Sequence, residues 1–170
     1  MSGGGERRGA ALPAALLRDV VVLEPETHYE VGGLVFSTSV PHRHGVDHDV
    51  ETYGVKFQMA GQVVSFMVDT MYFPELAESY ADSDLLVMNV VRYAAAGGLA
   101  NSPGVRHLSS EDAELLLSRI RPRQAILTHF GTTMLRAKPW LVAQGMSERL
   151  GLPVMAATDG LLVEVEEGPK

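Results

Sequence analysis

No cysteine occurs among the 170 residues of this chain. That absence removes disulfides, thiolate zinc sites and cysteine nucleophiles together, and leaves His, Asp and Glu as the ligands any metal site would have to use. Basic residues are the next shortage. Against 21 Asp and Glu stand 14 Lys and Arg, a formal net charge of -7, with no basic block, so the sequence as a whole lacks an electrostatic footprint for nucleic acid. Long apolar runs are missing too: "DLLVMNVV" and "GGLVFSTSV" fall far short of the roughly 20 residues that cross a bilayer, and no membrane span is expected. The opening "MSGGGERRGAALPAALL" carries a brief apolar patch with no small-residue cleavage site after it, and the chain is read as cytoplasmic. Two chemistries drop out with their motifs. There is neither a Gly-rich phosphate loop between strand and helix nor a Gly-x-Ser-x-Gly nucleophile elbow.

What is present suits one domain: 46% of the residues are hydrophobic, enough for a real core at this length. Residues 1–18, rich in Gly, Ala and Arg, read as a flexible N-terminal segment, and residues 19–167 as the domain. The β-branched "DVVVLEP", then "HYEV" and "GLVFSTSV" around a Gly-Gly pair, read as strands, the last ending at Pro41. "TYGVKFQM" and "VVSFMVD" flank a short "AGQ" turn and predict a hairpin. "PELAESYA" predicts a short helix and "DLLVMNVV" a buried strand. In "SSEDAELLLSRI" a Ser-x-x-Asp cap at Ser109 opens a helix with Leu115, Leu116 and Ile120 on one face. "QAILTHF" predicts a strand, "TMLRAKPWLVAQGMSERLG" a helix interrupted at Pro139 and stopped at Gly151, and "VMAATDGLLVEVE" a strand pair. Alternating strands and helices imply an α/β layer.

Polar groups at strand C-termini are where open α/β sheets place their chemistry. Asp69, His129 and Asp159 each close an apolar strand-like run, and His48 stands just before one. Imidazole and carboxylate are natural zinc ligands, so His48, Asp69 and His129 would make a credible site if they converge. On spacing alone each has a plainer meaning, as a turn-capping Asp or a hydrogen-bonded core His.

Four stretches shift that balance. "HDVETYGVKF", "SFMVDT", "RHLSSEDAELLLSRIRPRQ" and "ILTHF", in this order, resemble the metallo-β-lactamase superfamily, and within it the tRNase Z-like branch. The resemblance implies a four-layer αββα sandwich. It implies His48 and His129 as metal ligands, Asp69 as the bridging ligand, and His107 beside the scissile phosphate in proton transfer or phosphate binding. Zinc is the implied metal, one or two ions, with manganese as the alternative. Substrates implied are phosphodiesters, RNA-like molecules among them.

The superfamily's His-x-His-x-Asp-His signature is tempting in "HRHGVDH" but does not fit. One residue too many separates His44 from Asp47, and the segment runs into a hairpin rather than a helix. The cluster therefore corresponds to the later, third ligand motif; His42 and His44 read as solvated loop histidines, with His44 the alternative to His48 as ligand. Within residues 1–40 the sole histidine is His28, so the first strands and the first ligand motif of the family pattern have no counterpart. Two accounts follow. One is a zinc-dependent phosphodiesterase or nuclease, incomplete until the missing motif is supplied. The other is a non-catalytic domain serving as a binding subunit, whose uncovered apolar sheet would favour self-association or docking onto a complementing subunit. Trp140 reads as a packing anchor and the eight methionines as core fillers; Arg136 and Lys138 read either as an exposed helix face or as groups within reach of a substrate phosphate.

Overall fold

Two tight turns set the frame of the sheet. Gly32 and Gly33 (φ 58° and 83°), and Ala60 and Gly61 (φ 50° and 73°), hold the paired positive φ values of a two-residue hairpin loop whose twist matches that of its strands. In the computed structural model, which describes residues 20–44, 52–93 and 106–165, these turns join β1 (His28–Val31) to β2 (Leu34–His42) and β3 (Thr52–Met59) to β4 (Gln62–Met67). Then follow α1 (Glu75–Ser79), β5 (Leu85–Asn89), α2 (Ser110–Ile120), β6 (Gln124–Thr128), α3 (Thr132–Ala137), α4 (Pro139–Leu150) and β7 (Val154–Ala156). The expected N-terminal segment lies outside the described residues.

All seven strands join one sheet in sequence order. The pairs from β1 to β4 are antiparallel and those from β4 to β7 parallel. The switch at β4 is dictated by the connections: hairpins reverse the chain, whereas α1, α2 and the α3–α4 pair each carry it back to start a parallel neighbour.

Side-chain alternation sorts the sheet's two faces. Met67, Leu86, Met88, Ala125, Leu127 and Val154 point to a single core shared with Leu76, Leu116, Leu117, Met134 and Met146 of the helices. The opposite face carries the small cluster Val64, Leu85 and Ile126, with Phe66, Val87 and Met155 only partly buried. Across β1 to β4 this second face continues as an aromatic ladder, Tyr29 on Phe36 (centroids 5.2 Å apart), Phe36 on Phe57 (5.7 Å) and Phe57 on Phe66 (5.9 Å). This is the α/β architecture expected from the sequence, and the described residues supply one sheet and one helical layer of the sandwich.

Local differences have local reasons. Val20, Val21 and Val22 form no strand and are 71%, 60% and 82% exposed: β propensity gives no strand where no edge among the described residues pairs with it. Strand β2 runs past Pro41 to His42, because the register shifts between Thr38 and Pro41 and such an irregularity tolerates a residue with no N–H to donate. In α2 the buried apolar residues are Ala113, Leu116, Leu117 and Ile120, while Leu115 faces outward. Trp140 is 61% exposed and lies outside the core formed by the described residues, its helix being seated by Pro139, Ala143 and Met146 instead. The strand pair expected around Asp159 and Gly160 reduces to β7; Val163 and Val165 pack against the second face without forming a described strand. Met67, Met88, Met134 and Met146 do fill the core.

Candidate metal centre

The C-terminal ends of three adjacent parallel strands converge at one edge. Asp69 follows β4 by two residues, Asn89 is the last residue of β5, and His129 comes directly after β6. Both Asp69 (φ 43°) and His129 (φ 60°) adopt the left-handed conformation that non-glycine residues rarely take, which turns their side chains off the strand direction. His107 arrives from a different element. It precedes Ser109, whose hydroxyl caps α2 by accepting from the Asp112 N–H while the Asp112 carboxylate accepts from the Ser109 N–H. The buried Leu108 pins this segment, its carbonyl accepting from the Val91 N–H at 3.1 Å.

Asp69 Oδ1 lies 3.4 Å from His129 Nε2 and 3.6 Å from His107 Nδ1, and one donor atom from each residue falls within 4.8 Å of the others. Ligand atoms held about 2.0–2.2 Å from a tetrahedral zinc would stand roughly 3.4 Å apart. The spacing and the N/O donor set therefore fit a divalent cation. Exposure fits as well: the side chains of Asp69 and His129 are 44% and 54% exposed, leaving open coordination positions, whereas His107 is 18% exposed.

Burial lowers the pKa of His107, opposed by the charge of Asp69, and the ring is neutral at neutral pH. Its Nδ1 is 3.3 Å from the Asn89 side-chain nitrogen, so a neutral ring accepts there and carries its own proton on Nε2. The Asn89 amide also reaches the Thr70 carbonyl, while its Oδ1 has no hydrogen-bond partner among the described residues. The spacing of sequence motifs did not single out Asn89; its place at the end of an apolar strand was the available signal.

His48, expected as a ligand, lies outside the described residues. His44, its alternative, does reach the cluster, with its ring 4.8 Å from that of His107, edge to face, and its Nδ1 3.4 Å from the Arg106 carbonyl. His42 is not the solvated loop residue expected, whereas His44 follows β2 in a loop and is partly exposed. His42 is 6% exposed and lies at the end of β2, donating from Nδ1 to the Val68 carbonyl at 2.6 Å. Asp159 is exposed beyond β7 and takes no part in the cluster, and Arg136 and Lys138 are exposed.

Comparison with known proteins bears on this site. The family model described as "Beta-lactamase superfamily domain" matches residues 6–130. Uncharacterized protein MJ1374 of Methanocaldococcus jannaschii is 27% identical over 154 residues, covering 89% of this chain and 53% of that protein. The chain thus spans about half the length of the curated relative it matches. Among solved structures, the metallo-beta-lactamase fold protein YhfI from Bacillus subtilis superposes with a TM-score of 0.65 at 16% identity, over 83% of this chain and 54% of that one. Human tRNase Z, short form, superposes with a TM-score of 0.54 at 15% identity, over 80% of this chain and 45% of that one. At these identities the structures speak for the fold.

Proposed function

We propose, from the premise that the chain belongs to the beta-lactamase superfamily domain family, that it carries the later half of the centre of a metal-dependent hydrolase acting on phosphodiesters. The supporting observation is the convergence of Asp69 and His129, from neighbouring strand ends, at the separation two ligands of one cation need. His44 or His48 completes this half-site, and zinc, with manganese as the alternative, suits its imidazole and carboxylate donors. When bound, the ion supplies Lewis acidity, polarising a phosphoryl oxygen and acidifying water toward neutrality.

The chain's own residues divide the remaining work. Asp69, its backbone turned into the left-handed region, would hold the ion at the strand ends. His107 is close enough to be a third ligand, but its Nδ1 accepts from Asn89, which leaves the Nε2 proton for a leaving oxygen or a phosphate oxygen. RNA-like molecules stay within this phosphodiester class alongside small phosphodiesters, the structural neighbours including a human tRNase Z and a diphosphatase of the PhnP family. The domain spans residues 19–167 and is incomplete as a hydrolase without a first ligand motif. A cytoplasmic setting is part of the same proposal.

Zinc affinity and phosphodiester turnover, measured together on single variants, test these roles. Turnover is assayed on bis(4-nitrophenyl) phosphate with the chain joined to a polypeptide that supplies the first motif. Asp69→Ala and His129→Ala should each abolish turnover and weaken zinc binding. His107→Ala should abolish turnover with zinc binding kept. Unchanged turnover in the Asp69 or His129 variant would sink the assignment, and loss of zinc in the His107 variant would make it a ligand instead.

A second reading rests on the aromatic ladder Tyr29, Phe36, Phe57 and Phe66, a half-buried apolar face among the described residues. A face of this kind suits a binding subunit that self-associates or docks onto a complementing polypeptide. Sedimentation would decide it: a stable, monodisperse monomer counts against this reading.

A further inference from the structure

We infer that His42 is a positioning residue for the metal centre, the clamp that fixes the backbone turn from which Asp69 projects; this rests on the reading of Asp69 as a ligand. The end of β2 grips residues 68–71 at three points. His42 Nδ1 donates to the Val68 carbonyl at 2.6 Å, the Arg43 N–H donates to Thr70 Oγ1 at 3.2 Å, and the Met71 N–H donates to the Arg43 carbonyl at 3.2 Å. Asp69 sits inside this grip with φ at 43°, a conformation that survives only where its surroundings over-determine it. Two of the three bonds are made by the main chain of Arg43 and would outlast most substitutions. The first depends on one imidazole, and it holds the peptide that leads directly into Asp69.

The other side of that ring explains why it does not swing away. His42 Nε2 is 2.9 Å from the Tyr80 hydroxyl and 3.2 Å from Ser39 Oγ. With Nδ1 donating to a carbonyl, a neutral ring must accept at Nε2, and the Tyr80 hydroxyl, fully buried, is the donor that meets it. Ser39 Oγ in turn accepts from the Gly54 N–H at 2.9 Å, and a Cβ on Gly54 would collide with the Tyr80 hydroxyl and the Phe66 carbonyl. Position 54 is therefore a glycine because Tyr80 needs the space to reach His42. The chain of contacts runs from β3 through Tyr80 and His42 to the Val68 carbonyl, and so to the ligand.

Two variants separate the roles of the two ring nitrogens. An Asn amide nitrogen falls near the position of imidazole Nδ1, and a Gln amide nitrogen near that of Nε2. His42→Asn should therefore keep the bond to Val68, and His42→Gln should lose it, while both disturb the same buried pocket. Zinc alone is the probe, with affinity read by chelator competition and stability by urea unfolding in the absence of metal. The expected result is zinc affinity close to wild type for His42→Asn and roughly tenfold weaker for His42→Gln, the size that goes with losing one buried hydrogen bond, at similar losses of stability. Amide exchange in the metal-free chain gives a second readout, with the Met71 N–H remaining protected in His42→Asn and exchanging faster in His42→Gln. Equal zinc affinities and equal exchange in the two variants would overturn the clamp. Failure of the wild-type chain to bind zinc would overturn the metal reading instead and leave the exchange contrast to decide whether the clamp exists.

Discussion

The two faces of the sheet are built from similar kinds of residue and end in different states. On the helical face Leu86, Met88 and Leu127 are fully buried under α1 to α4, while on the other face Phe36, Phe57 and Phe66 are, among the described residues, only partly buried and packed against one another and their strand neighbours. Hydrophobic patterning fixes which side chains share a face, but whether a face becomes a core depends on what is laid over it. The candidate metal centre stands where this matters most. Its groups sit at the strand ends of the well-packed region, which can hold Asp69 and His129 in uncommon backbone conformations.

The contrast is broken most severely from the helical side. Leu127→Ala should cost about 2–5 kcal/mol, the range for emptying a well-packed site, as measured by urea unfolding. Phe57→Ala on the second face should cost clearly less, on the order of 1–2 kcal/mol for a side chain only partly buried, and should lower any self-association seen by sedimentation. An equal loss in the two variants would mean that both faces are cores. Ser109→Ala should cost about 1 kcal/mol by removing the cap of α2. Because that cap also fixes the segment carrying His107, turnover should fall by more than this stability loss explains.

The smallest expected effect is one of pH. Burial lowers the pKa of His42 below its ordinary 6.5, so the fold favours the neutral ring. The sign follows: the contribution is complete above the unfolded pKa and is lost as pH falls from there toward the folded value, since the unfolded chain binds the proton first. Metal-free wild type should therefore lose stability below about pH 6.5, and His42→Asn should lose less over the same interval. A steeper fall in the variant would contradict the assignment.

Much of the frame was legible in the sequence, because turn glycines, caps and apolar strands each act locally. Gly32 and Gly33, the Ser109 cap and the stop at Gly151 all stand where composition places them. Asp69 and His129 were readable as polar ends of apolar strands, and they meet. What depended on distant partners was not legible. Val20 to Val22 have strand propensity but no strand, Leu117 takes the buried place expected of Leu115 through a small rotation of the helix, and Trp140 faces outward. His42 is the clearest case: the residues that follow it are polar and loop-like, whereas the partners that hold its ring, Tyr80 and the Val68 carbonyl, lie far along the chain.

The most direct test of the central claim is the metal content of the purified chain after dialysis, beside a His48→Ala/Asp69→Ala/His129→Ala control. Zinc or manganese retained by the wild-type chain and lost from the control is the result this account predicts, a working half-site awaiting its other half. No metal in either sample would contradict it and leave the chain as a binding subunit whose strand ends hold no ion.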